Sequence, residues 1–243
     1  MQAISEMQRL AGIASDSWYA QGANGWTTAY SFEVFQRFIT AGPILELGPA
    51  EGVMTDSLAS LGLPLTVVEG SEVFCRDIQR RHPAAKVHHS LFEDFEPTEQ
   101  FQNIILGHVL EHVEDPVRLL TSARQWLLPR GRVICAVPNS RSLHRQVGVM
   151  MGLLDFEEAL NEADHHHGHR RVYNPETFRR DFLQAGYEID YFGGYFMKPL
   201  SNSQIESSFT PEMVRTFMKL GERYPDIAAE LVIVASAKTG ADA

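Results

Sequence analysis

The sequence predicts an α/β fold in which a mostly parallel sheet carries helices on both faces. Short apolar runs alternate with segments that have helical periodicity, and this alternation is typical of βαβ units. The runs end at glycine, proline or charged residues, which mark the ends of strands. The 243 residues are enough for one sizeable α/β domain, and the sequence contains no internal repeat.

Seven runs are predicted to be strands, and most of them are rich in valine, isoleucine and leucine. They comprise residues 44–47, 65–68, 86–88, 104–106, 132–137, 188–192 and 231–237. Between the first two runs, Met54, Leu58 and Leu61 recur at helical spacing. A helix is therefore expected directly after the first strand.

Two later helices have recognisable start signals. Asp115 is the predicted N-cap of the first, with Pro116 at the first helical position. Its apolar face is expected to extend to Leu127, before a turn at residues 129–131. The pair at 174–175, Asn followed by Pro, is the corresponding signal for the second helix. Both helices thus fall between predicted strands.

Charge and composition argue against several classes of partner. The formal charge is −10 and the basic residues form nothing longer than doublets such as Arg80-Arg81, whereas a nucleic-acid surface needs a basic face. No apolar run approaches the roughly 20 residues that span a bilayer, and the first residues lack the features of a secretory signal. We therefore expect a cytoplasmic protein without a nucleic-acid or membrane partner, in which Cys75 and Cys135 are buried free thiols.

A glycine-containing loop joins the first predicted strand to its helix, and it reads Glu46-Leu47-Gly48-Pro49-Ala50-Glu51-Gly52. In open α/β sheets, ligands bind at such strand-to-helix junctions. Gly48 allows a tight turn and the close approach of a ligand, and Gly52 lets the helix start near the strand. The alternative is a purely structural turn, because Ala50 replaces the second glycine of the dinucleotide motif.

Glu69 ends the second predicted strand, 17 positions after Gly52. An acidic side chain there can accept hydrogen bonds from both hydroxyls of a ribose. A solvent-facing strand end is the alternative, and the neighbouring loop favours the ribose role. Glu46 and Glu51 make the loop acidic, which suits a ligand with an ammonium and a sulfonium better than a pyrophosphate.

A longer segment resembles a family signature. Leu106-Gly107-His108-Val109-Leu110-Glu111-His112-Val113-Glu114-Asp115-Pro116 is similar to the VLEHV-DP signature of the ubiquinone/menaquinone-type class I methyltransferases. Leu127-Leu128-Pro129-Arg130-Gly131 resembles their L-x-P-G-G turn, with Arg130 in place of one glycine. The resemblance covers about residues 44–139. It implies a Rossmann-like, mostly parallel seven-stranded sheet with an antiparallel last strand, and methyl transfer from S-adenosylmethionine.

On this basis we divide a single methyltransferase domain into four parts. Residues 1–40 are expected to form a helical N-terminal lid, and residues 41–139 the cofactor-binding core. Residues 140–172 follow the fifth strand without clear periodicity, and we predict an insertion there that forms a lid on the acceptor side. Residues 173–243 are expected to complete the sheet.

The resemblance also implies which residues bind the cofactor. The implied set is Glu46, Gly48, Gly52, Glu69, Gly70, Ser71, Leu91, Phe92, Gly107 and His108. Residues of the glycine loop would line the methionine portion, and Glu69 would hold the ribose. Residues 70–71 would border the adenosine, and residues 91–92 would contact adenine. Gly107 and His108, after the fourth strand, would lie near the ammonium group.

Catalysis of methyl transfer depends mainly on alignment and on the exclusion of water, because the sulfonium is already a good leaving group. A base is needed only if the nucleophile must lose a proton. His108 is the first candidate, because it follows a strand that points at the methyl group, and His112 is the second. Either could instead shape the pocket wall or belong to the structure of the signature.

The run Asp164-His165-His166-His167-Gly168-His169-Arg170-Arg171 has the most unusual local composition of the chain. We predict an acceptor-facing lid, in which His166 is a candidate base and Arg170 and Arg171 hold an anionic acceptor. A solvated polar loop and a metal site are the alternatives. Adjacent histidines point in divergent directions, so we expect no metal.

The leading hypothesis is an enzyme of specialised, small-molecule biosynthesis that methylates a small-molecule acceptor, with O-methylation favoured over N-methylation. The alternatives are a non-catalytic regulatory module that binds S-adenosylmethionine and an NAD-dependent oxidoreductase. A homodimer is the assembly that we consider. Aromatic side chains could wall a flat acceptor or could be ordinary core: they are Trp18, Tyr19, Trp26, Tyr30 and those between residues 191 and 196.

Overall fold

The computed structural model describes residues 6–15 and 20–238. Their strands are β1 (Ile44–Leu47), β2 (Leu65–Glu69), β3 (Lys86–His89), β4 (Phe101–Gly107), β5 (Leu127–Pro138), β6 (Tyr187–Tyr195) and β7 (Glu230–Ala237). All seven belong to one sheet, in the order β3-β2-β1-β4-β5-β7-β6. Strands β1 to β5 pair in parallel, and β7 runs antiparallel to β5 and to β6. The predicted mostly parallel, seven-stranded sheet with an antiparallel last strand is confirmed.

Helices cover both faces of this sheet. They are α1 (Glu6–Ser15), α2 (Gly22–Phe35), α3 (Val53–Ala59), α4 (Glu72–Arg81), α5 (Pro116–Gln125), α6 (Leu143–Met150), α7 (Glu162–His167), α8 (Pro175–Gln184), α9 (Asn202–Ser208) and α10 (Pro211–Gly221). The apolar sides of α5 and α8 share one core cluster with Leu45 and Leu47. Helices α2, α3, α4 and α10 share the other with Ile44. Since neighbouring strand residues point to opposite faces, the two clusters lie on opposite sides of the sheet.

Local sequence explains where the helices begin. The side chain of Asp115 accepts a hydrogen bond from the Arg118 amide at 2.9 Å, as an N-cap should, and Pro116 is the first residue of α5. Asn174 caps α8 in the same way, and Pro175 follows it. Both predicted start signals are confirmed.

The predicted end of α5 is wrong. The helix stops at Gln125, and Leu127 is the first residue of β5, where it pairs with Phe101. The predicted turn at residues 129–131 lies in a stretch between Leu127 and Arg132 that has no partner in the neighbouring strands, and Arg130 adopts a φ of +66° there. Leu127 belongs to the strand because it pairs with β4.

Several helices lie where no helix was predicted. Helices α6 and α7 give structure to the insertion at residues 140–172, and α9 and α10 connect β6 to β7. Thr210, followed by proline, caps α10 and is a start signal of the type found at α5. Within the predicted N-terminal lid, α1 and α2 are helical, whereas Trp18 and Tyr19 lie outside the described residues. In the described part of the chain, no helix is long and apolar enough to cross a membrane.

Candidate functional site

The carboxyl ends of the parallel strands border a cavity of about 530 Å³. This edge is where open α/β sheets bind ligands. We call the side bordered by residues 46–54, 69–71 and 90–92 the cofactor half. The acceptor half is bordered by helix α2, by the N-terminal part of α6, by Lys198 and Asn202, and by residues 229–230. Every residue of the predicted cofactor-binding set borders this one cavity.

Gly48 forms the floor of the cofactor half. Its φ is +64°, a conformation that side chains disfavour. A Cβ atom at this position would lie only 3.2 Å from Phe92 Cζ and 3.2 Å from Val109 Cγ2. A glycine is therefore required both by the turn and by the close packing beneath the cavity.

Gly52 precedes the first helix after β1, as predicted. Its φ of +83° makes it the left-handed residue that precedes α3. A Cβ atom there would lie 2.6 Å from Arg81 Nη2 and 3.1 Å from Ile78 Cγ1 of α4. Although Gly52 borders the cavity, the space that its missing side chain leaves is occupied by α4.

Glu69 ties the glycine loop to the end of β2. Its Oε1 accepts a hydrogen bond from the Ser71 amide at 2.8 Å, and its Oε2 accepts one from the Ala50 amide at 3.2 Å. Each carboxylate oxygen has a second lone pair, so both can still accept a hydrogen bond from a ligand. Burial raises the pKa of Glu69, and the two amides act in the opposite direction.

Glu46 is buried at the methionine end of the predicted cofactor site. Burial raises its pKa to about 8, although the Thr55 hydroxyl donates a hydrogen bond to its Oε2 at 2.7 Å. A cation bound beside this carboxyl group would favour the ionised form.

Helix α1 lies over the adenosine end of the predicted site. A Cβ atom on Gly70 would collide with Leu10 Cδ1, so α1 approaches the backbone closely. Arg9 of the same helix donates a hydrogen bond to the Gly168 carbonyl at 3.4 Å, and Glu6 accepts one from Arg170 at 3.2 Å. The N-terminal helix and the insertion therefore meet over the cavity.

His108 stands at the boundary between the two halves, directly after β4. It has a φ of +60°, which is strained for a residue with a side chain. Its Nδ1 lies 3.5 Å from Glu111 Oε1 and 3.8 Å from Glu230 Oε2. Burial lowers the pKa of His108, but the two carboxylates outweigh this effect and raise it to about 9.

The two carboxylates beside His108 are poorly satisfied. Glu111 is fully buried, and neither of its oxygens makes a hydrogen bond with a described residue. The same is true of Glu230 Oε2. A buried acceptor that lacks a donor destabilises the folded protein. Its presence needs an explanation, and a role in binding or reacting with a ligand supplies one.

Glu230 was missed by the sequence analysis. It begins β7, and the antiparallel register pairs it with Pro138 at the end of β5. This pairing brings Glu230 to the edge of the sheet where β4 ends. No local sequence pattern indicates it, since its proximity to His108 depends on the pairing of strands that are far apart in the chain.

His112 and His169 form a second cluster with Glu111. Their rings meet edge to face with centroids 4.8 Å apart, and burial lowers the pKa of His112 to about 4. Glu111, His112 and His169 each offer one ligand atom, and these atoms lie within 4.8 Å of one another. They could hold a divalent cation. The absence of a metal stays a prediction, which metal analysis of the purified protein would test.

The histidine-rich run adopts a defined structure. Its first half, residues 164–167, belongs to α7, whose first turn is closed by a capping box between Asn161 and Asp164. His167 and His169 border the cavity, whereas His166 is exposed and does not. Helix α7 therefore turns the predicted candidate base His166 away from the site, and we do not retain it.

The predicted role of the two arginines in this run is contradicted. Arg170 Nε donates to the His112 carbonyl at 2.8 Å. Arg171 donates to the carbonyls of Leu110 at 2.8 Å and Glu114 at 2.9 Å. Both guanidinium groups bind the backbone of the signature segment, because its carbonyls lie within their reach. Arg171 does not border the cavity, and Arg170, which does, is engaged by the His112 carbonyl and by Glu6.

The predicted aromatic wall is also not observed in the described residues. Trp26, Tyr30 and the residues from 191 to 196 do not border the cavity. The Tyr30 hydroxyl donates to Glu222 at 2.5 Å, and Tyr195 packs in the core beside it. Tyr30, Tyr195 and Phe196 are ordinary core, whereas Trp26 is exposed.

Comparisons with known proteins agree with this geometry. A family model described as a methyltransferase domain matches residues 25–191. Over 171 residues the chain is 26% identical to a ubiquinone biosynthesis O-methyltransferase of Dinoroseobacter shibae. That match covers 65% of this chain and 64% of the length of the relative.

Solved structures share the fold at low sequence identity. The CcbJ methyltransferase of Streptomyces caelestis superimposes on this chain with a TM-score of 0.62 and 14% identity. The match covers 95% of this chain and 96% of the CcbJ chain. The glycopeptide N-methyltransferase MtfA, in complex with S-adenosylmethionine, matches 87% of each chain with a TM-score of 0.58 and 14% identity.

Proposed function

Because this chain belongs to the class I, S-adenosylmethionine-dependent methyltransferases, we propose that it transfers a methyl group from this cofactor to a hydroxyl group of a small molecule. Family membership argues against the NAD-dependent oxidoreductase that the glycine loop also suggested. The observation that carries the proposal is the buried cluster of His108, Glu111 and Glu230 at the boundary between the cofactor half and the acceptor half.

The residues of the cofactor half fit S-adenosylmethionine. Gly48 keeps the floor of the cavity free of a side chain, and both oxygens of Glu69 can accept hydrogen bonds from ribose hydroxyls. Glu46 supplies a carboxyl group for the ammonium, and Phe92 borders the expected adenine site. The cavity of about 530 Å³ lies within the range of small-ligand sites.

The cofactor supplies a methyl group that its sulfonium already activates. The protein must then align the acceptor, exclude water and receive the proton of the hydroxyl group. His108 Nε2 is buried and makes no hydrogen bond with a described residue, so it can receive that proton. Glu111 and Glu230 would stabilise the imidazolium that results.

The relatives and structural neighbours include both O- and N-methyltransferases. A hydroxyl nucleophile needs a base more than an amine does, and the carboxylates around His108 therefore favour O-methylation.

Calorimetric titration with S-adenosylmethionine, followed by a methyl-release assay on phenols, alcohols and the matching amines, tests the proposed O-methylation. We expect binding and turnover of hydroxyl acceptors. Faster turnover of the amines would contradict O-methylation, and tight binding without any turnover would indicate a non-catalytic module.

Replacing Glu69 by alanine should weaken S-adenosylmethionine binding by roughly 1–3 kcal/mol, the scale of hydrogen bonds to a charged group. The dissociation constant from calorimetry is the measurement. Glu72→Ala is the matched control, because Glu72 is exposed on α4 three residues away. Equal affinity of the Glu69 variant and the control would remove Glu69 from the ribose role.

The rate should also increase with pH. With a pKa of about 9, His108 is mostly protonated at pH 7 and becomes a competent base only as the pH rises. The positive charge of the bound cofactor lowers this pKa, so kcat should level off below pH 9. Rates between pH 6 and pH 9.5 at saturating cofactor test this expectation. A flat profile would argue against His108 as the base.

A further inference from the structure

The acceptor half of the cavity is polar, although its deep end adjoins the apolar core of the sheet. Its wall is supplied by α2, by the start of α6 and by the connection after β6. The polar side chains that border it there are Asn24, Thr27, Thr28, Ser31, His144, Lys198 and Asn202. Aromatic residues other than histidine are absent from this part of the wall, as far as the described residues show.

The hydroxyl and amide groups of this wall are oriented by the protein itself. Thr27 Oγ1 donates to the Ala23 carbonyl at 2.8 Å, and Thr28 Oγ1 donates to the Asn24 carbonyl at 3.1 Å. The Asn202 amide donates to Asn24 Oδ1 at 2.9 Å. The threonine oxygens keep lone pairs that can accept hydrogen bonds from a ligand. A hydrophilic ligand suits this wall better than a hydrocarbon.

Four arginine and lysine side chains border the cavity, and three of them are bound to the protein. Arg9 pairs with Glu6, and Arg170 binds the His112 carbonyl and Glu6. Arg145 is buried against Asp164 at 3.2 Å and also donates to the Glu157 carbonyl. Each of these three cations thus makes an ion pair within the protein, and Arg9 and Arg170 share the carboxylate of Glu6.

Lys198 differs from these three. Its ammonium makes neither a hydrogen bond nor an ion pair with any residue that the structure describes. Lys198 follows β6, which runs parallel to β5 and so ends at the same edge of the sheet. Lys198 is half-buried on the wall of the cavity, and burial lowers its pKa.

Several polar groups surround Lys198. His144 borders the same half of the cavity, and its buried Nδ1 makes no hydrogen bond with a described residue. Glu230, Asp164 and Glu206 attract the ammonium from a distance and Arg145 repels it, but none of the described carboxylates lies within ion-pair distance of it. A half-buried cation that faces the cavity without an ion pair is a suitable partner for an anionic group.

We propose that the acceptor is a hydrophilic small molecule whose anionic group pairs with Lys198 while its hydroxyl group faces His108. This inference rests on the proposed function, since it assigns the second substrate of the same reaction. The competing assignment is a cationic amine that pairs with Glu111 and Glu230.

The charge of the methylated product tests the proposal. The protein is incubated with S-adenosylmethionine that carries a tritiated methyl group and with a protein-free metabolite extract of the cells that encode it. We expect the labelled product to bind an anion exchanger at pH 7.5. A labelled product that binds a cation exchanger, or that partitions into organic solvent, would overturn the anionic acceptor and leave methyl transfer intact. No labelled product at all, despite cofactor binding, would overturn the proposed function and this inference with it.

Variants of Lys198 provide a second readout on the labelled fraction. Lys198→Gln should raise KM for the anionic acceptor at least tenfold without changing the dissociation constant of S-adenosylmethionine, and Lys198→Arg should restore most of the loss. Lys219→Gln is the matched control, because Lys219 is exposed on α10 outside the cavity. An unchanged KM in folded Lys198→Gln would remove Lys198 from acceptor binding.

Discussion

Replacing Gly48 by valine should abolish measurable binding of S-adenosylmethionine. The new side chain would begin 3.2 Å from both Phe92 Cζ and Val109 Cγ2, and its branches would extend into the cavity floor. The φ of +64° adds backbone strain, because a β-branched residue disfavours this region. Calorimetry should show a loss of affinity of at least about a hundredfold, which corresponds to about 2.7 kcal/mol.

Gly62 provides the matched control for this experiment. Its φ of +67° is nearly that of Gly48, but nothing lies within 4 Å of the position of its Cβ. Gly62→Val therefore has a similar backbone cost without obstructing the cavity. If both variants bind the cofactor with the affinity of the parent protein, the loop does not hold the ligand. If both lose affinity equally, backbone strain rather than the cavity floor is responsible.

Replacing His108 by asparagine should reduce kcat by about 10²–10⁴-fold, the usual contribution of a general base. Asparagine tolerates a positive φ better than most residues, so this variant keeps the backbone while it removes the base. Affinity for S-adenosylmethionine should change little. Single-turnover rates and calorimetry on the same preparation separate the two effects.

His165→Asn is the control for His108, because His165 is exposed on α7 and does not border the cavity. It should retain the parent activity. The His108 variant should also lose the increase of rate with pH that the parent shows. Undiminished turnover in His108→Asn would make this residue part of the pocket wall only.

The cofactor half could be predicted from the sequence because its chemistry is local. Gly48 and its loop directly follow an apolar run, and Glu69 ends the next one, so strand endings alone bring them to one edge. His108 could be predicted in the same way, because the signature segment directly follows the apolar run of β4. These features depend on short stretches of chain and on the general geometry of parallel sheets.

The acceptor half could not be predicted to the same extent, because it depends on pairings between distant segments. Glu230 reaches His108 only through the antiparallel register of β5 and β7. Nothing around Lys198 in the sequence indicates a site. The sequence did mark Arg170 and Arg171 as basic, but it could not show that backbone carbonyls are their partners.

Because β7 runs antiparallel to β5 and β6, the residues that border the cofactor half and those that border the acceptor half come from different parts of the chain. Residues 44–107 supply the cofactor half, whereas the connection from β6 to β7 supplies Lys198 and Asn202 and leads into Glu230. That connection enters and leaves at the rim of the cavity. Insertions or deletions within it can thus alter which molecule is methylated while the nucleoside-holding strands keep their register, so changes in acceptor range should be engineered there.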